Sequence, residues 1–399
     1  MSNLVDIVEG CPYESKNFSC DVCHDKISPY SSSWNYKGYD ECETCHLKST
    51  RTDLIHYSGI VKSKNDMNDM EIIEDVCDVD LKLVKILDNE KKFMISTVTH
   101  FMKEIDGNSC IGFGAINDII KLLIHGSEGK TREELSKLVD RTNIDGKDNF
   151  VFLSGNQPVK EEFKQLVKVL PDMNAKKAND FIEKETKGKH KNVLDNIGDL
   201  TICTIKECEC EWNTEFTDVR KDMKFDNNGK IDMMFDTKPI KCHVTDNYVA
   251  IAIKTKNMNK YIIHIMPRKC SLENFISSLP DAIENFVRFS RSNKKWVGIP
   301  KIKIEEKTGL DRLLQKNGIN SAYIGGFTKI IDANLQLTST CQSIVYSIDE
   351  KGGKASAVVY ATLSKGIDTV SFTFDKPHFE IFIEDGKVQF IAIIKSGNK

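Results

Sequence analysis

Two cysteine pairs near the start of the chain are the residues best placed to do chemistry. CDVC and CETC set Cys20, Cys23, Cys42 and Cys45 in a C-x2-C-x18-C-x2-C arrangement. Each knuckle offers two sulfurs from one tight turn, and four thiolates complete a tetrahedral shell around Zn. The intervening SPYSSSWNYKGYD is too polar and too short to build a core. Such a segment needs a staple, and zinc supplies roughly 10–16 kcal/mol of folding free energy in small modules. The competing reading is four unrelated buried cysteines. His24 and His46, each directly after a knuckle cysteine, are alternative ligands.

Other chemistry is hard to find. His56, His100, His125, His190, His243, His264 and His378 stand singly, without a patterned Ser, Cys or Asp partner. A lone histidine is more often a surface or satisfied core residue than a base, so no enzyme is expected. In TICTIKECECEW, Cys203, Cys208 and Cys210 invite a metal or thiol reading. Cys208 and Cys210 alternate with Glu209 and Glu211, however, so packing on one face of a strand is the better reading. The chain has no phosphate-binding P-loop and no G-x-G-x-x-G fingerprint.

The 399 residues are 40% hydrophobic and 29% charged, with a net charge of -3. That is an ordinary globular composition, long enough for one large domain or two to three smaller ones. No basic field argues for nucleic acid, and around the cysteine knuckles only Lys26, Lys37 and Lys48 could meet phosphates. There is no apolar run near 18 residues, so no membrane partner is expected. The N-terminus has no basic start followed by an apolar stretch, which points to the cytoplasm. Thirteen cysteines are then expected as thiols or metal ligands.

The elements that must position these residues divide the chain into a four-cysteine zinc-binding module at 1–48, a polar linker at 49–80 and a mixed helix–strand domain at 81–399. KKFMISTVTHFMKEI has apolar residues at helical spacing and ends at Asp106-Gly107. INDIIKLLIHG reads as a buried helix stopped by Gly126. KTREELSKLVD reads as another, with Thr131 as N-cap and Glu134 three residues on. YVAIAIKTK and KYIIHIMP read as paired strands, and the last 60 residues are strand-rich.

Two resemblances follow from these residues. CDVCHDKI and YDECETC resemble a ZZ-type zinc finger whose second metal site is lost, since Ser33 and Tyr36 stand where a further cysteine pair is expected. This implies a protein-binding role, because a closed four-sulfur shell has no open coordination position. In the larger domain, HGSEGKT, ANDFIEKETKGKH, IDMM, IMPRK, WVGIPKIKIEE, LDRLLQKNGI, FDKPHFEIFI and VQFIAII resemble serpin motifs, in family order, across roughly 300 residues. The resemblance implies an α+β, multi-sheet serpin fold with a helical N-terminal part and an exposed reactive loop. The biased composition is most similar to serpin-like proteins of giant DNA viruses, which would put the chain in a host cytoplasm or a virion.

The resemblance also bears on DEKGGKASAVVYATLSKG, from Asp349 to Gly366. It follows a strand-like stretch with Ile344, Val345, Tyr346 and Ile348. On local sequence alone it reads as a hairpin turning at Gly352-Gly353. Aligned with the serpins, Glu350, Gly352, Gly353, Ala355, Ser356, Ala357 and Val359 become the hinge of the reactive loop. After cleavage by a serine or cysteine protease, this arm would enter a sheet as a new strand; serpin loops are themselves an established case of strand addition. Every second residue (Gly353, Ala355, Ala357, Val359) is small and apolar and suits the inward face, while Lys354 stays on the solvent side. The family's spacing puts the scissile bond at Gly366–Ile367, with Lys365 and Leu363 as chemically better specificity residues. The resemblance thus implies a suicide-substrate protease inhibitor. Three departures favour the alternative of a non-inhibitory scaffold targeted by the zinc module: Gly112 and Ala115 replace two serines, Gly353 replaces a threonine, and Thr204 and Cys208 replace an asparagine and a phenylalanine.

Overall fold

The computed structural model describes residues 33–36, 39–42, 55–57 and 81–397, apart from 82, 141–149, 155–157, 197, 199–200, 206–208, 227–228, 258 and 353–371. The chain divides into two compact units, Met1–Glu74 and Asp75–Lys399. In the first, β1 (Ser33–Tyr36) pairs antiparallel with both β2 (Tyr39–Cys42) and β3 (Ile55–Tyr57). β3 falls inside the stretch read as a linker. Its Ile-His-Tyr sequence suits a strand, and the first unit extends beyond the expected boundary at 48.

The second unit runs in this order: α1 (Asp88–Glu104), β4 (Ser109–Ile111), α2 (Phe113–Gly126), α3 (Gly129–Leu135), β5 (Phe150–Ser154), α4 (Glu161–Lys164), β6 (Lys168–Val169), α5 (Ala175–Glu185), β7 (Thr201–Ile205) and β8 (Asp218–Lys224). It continues with β9 (Lys230–Val244), β10 (Tyr248–Ile253), β11 (Lys260–Pro267), α6 (Leu272–Phe275), α7 (Leu279–Phe289), β12 (Arg291–Pro300), β13 (Ile302–Gly309), α8 (Asp311–Lys316), β14 (Cys341–Ile348), β15 (Phe372–Thr373), β16 (His378–Glu384) and β17 (Lys387–Ile394).

Nine of these strands form one sheet, ordered β15-β12-β9-β10-β11-β16-β17-β4, with β8 beside β9. Its central strands are buried on both faces, so they read as near-continuous apolar runs. In β10, Tyr248, Ala250 and Ala252 join a core with the helices, while Val249, Ile251 and Ile253 join a second core on the opposite face. That second core is closed by Ile302 and Ile304 of β13 and by Ile344, Tyr346 and Ile348 of β14. The arrangement is helices, large sheet and a strand layer, each buried by its neighbour.

The helices follow their patterns with one correction. α1 buries Phe93, Met94, Val98, Phe101 and Met102 along one stripe, and the chain turns at Gly107 with φ +82°. α2 ends at Gly126, where an added Cβ would press into the Ile330 side chain. α3 starts at Gly129, after an extended Glu128, so Thr131 lies inside the helix and does not cap it. Its hydroxyl donates instead to the Gly325 carbonyl at 2.8 Å. Glu134 is likewise turned to tertiary use. It accepts from the Asn320 and Ser321 backbone N–H groups and the Ser321 hydroxyl, each at 2.8 Å. Burial pushes its carboxyl up, but these bonds outweigh it and hold the group below its usual range.

Candidate functional site

Two of the strand edges in the second unit that lack a partner among the described residues line one cavity. β7 is bonded only to β5, in the three-stranded sheet β6-β5-β7, and β14 only to β13. Between them lies a cavity of about 270 Å³, lined by Thr201–Thr204 on one side and Thr340–Ile344 on the other. Its floor is α2, with Ala115, Ile116 and Ile119. An open strand edge presents a row of free N–H and C=O groups, which proteins normally cover. A partner strand is what these two edges lack.

Side chains hold the cleft where backbone bonds do not. His190 Nδ1 lies 3.1 Å from Ser343 Oγ. Lys307 of β13 reaches Asp195 at 2.6 Å. Gln342 of β14 accepts from the Gly112 N–H at 3.1 Å and donates to the Cys110 carbonyl at 3.0 Å, tying the start of α2 to β14. Gln342 thus supplies polar contacts beside the position where Gly112 has no hydroxyl. Thr204 Oγ1 is buried with no hydrogen-bond partner. Burial pushes the Cys203 thiol up to about 12, with Cys341 adding to the shift, so it stays protonated.

The head of β14 is clamped. Asp349 and Gly352 close a turn through Asp349 N–H to Gly352 C=O (2.8 Å) and Gly352 N–H to Asp349 C=O (3.2 Å). Asp349 Oδ1 accepts from the Lys351 N–H at 2.9 Å. The buried Trp212 donates from Nε1 to the Asp349 carbonyl at 3.0 Å and from its backbone N–H to Lys351, while the Phe216 N–H reaches Glu350. Gly352 has φ +129°, and an added Cβ would run into the Cys210 carbonyl oxygen. Lys301 pairs with Glu350 at 2.6 Å. Partial burial pushes the Glu350 carboxyl up, but the bond to Lys301, its own backbone N–H and the charges of Lys301 and Lys351 together outweigh it and hold the group below its usual range.

Of the expected hinge residues, Glu350 and Gly352 therefore sit at the head of the cleft. Gly353, Ala355, Ser356, Ala357, Val359, Leu363, Lys365, Gly366 and Ile367 lie outside the described residues, as do Cys20, Cys23 and Cys45. Cys42 is described only as the last backbone position of β2. The chain is described again at β15, which pairs parallel with β12 through Val297↔Phe372 and Gly298↔Thr373. The expected alternation around Cys210 holds, with Cys210 buried and Glu209 and Glu211 exposed; Cys208 lies outside the described residues.

Comparison with known proteins decides the family. The family described as Serpin (serine protease inhibitor) matches residues 159–394. The chain belongs to the serpin family. Among its relatives is a serine proteinase inhibitor of Cavia porcellus, 24% identical over 266 residues. The match takes in 59% of this serpin and 64% of that protein, just under two thirds of the relative's length. Human thyroxine-binding globulin, solved in complex with its hormone, superposes with a TM-score of 0.63 at 16% identity, covering 76% of this chain and 96% of that one. The thermophilic serpin Tengpin in its native state gives 0.62 at 16%, covering 78% and 96%. At these identities the structures establish a shared serpin fold. Family members are in general protease inhibitors and not enzymes.

One group of residues escaped the sequence reading. His264 and His378 do not stand singly. β11 and β16 pair so that His264 is opposite Glu380, and His378 lies two residues before Glu380 on the same strand face. All three side chains are fully buried. The signal was the alternation in PHFE, which puts two polar residues on one face of a strand whose flanking positions are apolar.

Proposed function

We propose that this serpin inhibits a serine or cysteine protease as a suicide substrate. The observation that carries the reading is the cleft between the open edges of β7 and β14, with the hinge turn at Glu350–Gly352 standing at its head. In the proposed reaction the protease nucleophile attacks the Gly366 carbonyl carbon, and the Gly366–Ile367 bond breaks. The Ile367 amine leaves with a proton from the protease, and the acyl group stays on the enzyme. Lys365 and Leu363 are the alternative specificity residues, for trypsin-like and chymotrypsin-like proteases respectively. The freed arm, Gly353 onward, then folds back at the Asp349–Gly352 turn. It pairs antiparallel with β14 and fills the cleft, with Ala355, Ala357 and Val359 toward α2. Each ladder bond contributes about 1 kcal/mol net, so a full strand releases enough to drag the acylated protease.

The first unit fits a structural Zn held by Cys20, Cys23, Cys42 and Cys45, a soft four-thiolate donor set suited to that ion. Its proposed role is to bind a protein partner. A cytoplasmic setting, in a host cell if the chain is viral, belongs to the same reading.

The test is thermal melting before and after a single nick within 363–367, followed by denaturing electrophoresis with candidate proteases. A large rise in Tm and a covalent complex are expected. An unchanged or lower Tm would sink the inhibitor reading. It would favour the scaffold reading, for which thyroxine-binding globulin gives a precedent of the fold carrying a small ligand.

A further inference from the structure

His264, His378 and Glu380 lie on the face of the large sheet that packs under β14, among Phe374, Phe225 and other apolar side chains. Nothing in the proposed inhibition uses them. His264 Nδ1 is 3.2 Å from Glu380 Oε1, and His378 Nε2 is 3.5 Å from the same oxygen. One ring nitrogen of each histidine and a carboxylate oxygen all lie within 4.8 Å of one another. Yet His264 Nδ1 and Nε2, His378 Nε2 and Glu380 Oε1 are buried without a properly directed hydrogen bond. Leaving such groups unsatisfied in a core is costly.

The outer contacts settle which lone pairs face inward. His378 Nδ1 lies 2.7 Å from the Lys376 carbonyl. A carbonyl only accepts, so Nδ1 carries a proton, and in the neutral tautomer Nε2 then turns a lone pair toward Glu380. Tyr346 of β14 donates to Glu380 Oε2 at 2.9 Å, leaving Oε1 for the centre of the cluster. With that tautomer Nε2 and Oε1 are two acceptors facing each other, and a cation between them satisfies both. Their separations fit a shared third point better than a linear N–H···O bond. Ligands held about 2.0–2.1 Å from a tetrahedral ion stand about 3.3–3.4 Å apart, and the two measured separations bracket that spacing.

We propose that His264, His378 and Glu380 form a buried binding site for a divalent transition-metal ion of the zinc class. Two imidazoles and one carboxylate are a donor set that suits such an ion and not calcium or magnesium, which require more oxygens. The Lys376 carbonyl and the Tyr346 hydroxyl are the outer partners that orient a histidine and a carboxylate ligand. The ion would staple β11 to β16 beneath β14. The site stands apart from the inhibitor reading and from the four-cysteine module.

The test must separate this site from the cysteines. Full-length chain carrying Cys20→Ser, Cys23→Ser, Cys42→Ser and Cys45→Ser is refolded with Zn2+, desalted, and its metal counted by mass spectrometry. One retained zinc per chain is expected, and adding His378→Phe should abolish it with the circular dichroism spectrum unchanged. If His378→Phe does not fold, Co2+ refolded into the serine variant gives the readout. A tetrahedral visible spectrum without thiolate charge-transfer bands supports the site. A hydrated-ion spectrum, or a natively folded serine variant that retains no zinc, overturns it in favour of a cluster held by protons. Zinc kept by a folded His378→Phe chain overturns it equally.

Discussion

Trp212 and Gly352 meet at the head of β14, each for a reason that a single atom decides. The indole Nε1–H satisfies the Asp349 carbonyl inside the core. Trp212→Phe keeps the apolar bulk and leaves that carbonyl with the Gly352 N–H as its remaining donor, at an expected cost of about 0.5–1.5 kcal/mol for the lost bond, read as a lower urea midpoint with unchanged slope. Gly352 combines a positive φ with close approach to the Cys210 carbonyl. Gly352→Ala must therefore rebuild the turn, with an expected loss of about 1–3 kcal/mol. The check is the same denaturation curve together with the rate of nicking in 353–371, which should rise.

Strand elements decide how easily the cleft works. β14 has the β13 ladder on one edge, and its other edge relies on side chains such as Gln342 and Ser343. Its hinge end is clamped by the Lys301–Glu350 pair. Because the folded Glu350 carboxyl lies below its unfolded value of about 4.3, its contribution is present above that pH. It is lost as the pH falls through the folded pKa. Nicking of 353–371 by an acid-active protease should accelerate across that acid window, and Glu350→Gln should flatten the dependence. A pH profile identical in the variant would count against the clamp.

At the scale of the molecule, the chain divides into two compact units, Met1–Glu74 with the sheet β2-β1-β3 and Asp75–Lys399 with the nine-stranded sheet. A chain beginning at Asp75 should therefore fold alone, with a Tm within a few degrees of the full chain's and the same response to nicking. Loss of cooperative melting in that truncation would show that the first unit is part of the serpin fold. The nicking response itself belongs to this scale, since a strand entering between β7 and β14 would join two sheets into one across α2.

Periodicity made most of the elements legible. The stripe in α1, the paired apolar runs of β10 and β11, and the order of motifs from HGSEGKT to VQFIAII depend on local pattern, and the family followed from them. Thr131 was misread because capping chemistry is local only until a tertiary partner, here the Gly325 carbonyl, competes for the hydroxyl. The 49–80 stretch hid β3 because a three-residue strand carries almost no periodic signal. Glu350 and Gly352 were visible by alignment to the family, but the contacts with Trp212 and Lys301 come from positions 138 and 49 residues before Glu350, a distance no window spans. The same holds for His264 and Glu380, 116 residues apart and opposite each other only through register. Composition and spacing by themselves marked α1, α2, β10, β11, the candidate zinc knuckles and the small-residue arm after Gly352. Only the tertiary structure decided that β7 and β14 would each keep an open edge, and that three polar side chains would converge beneath β14. Pairing and register are long-range choices, made by burial of both faces of a sheet and not by any single segment's preference.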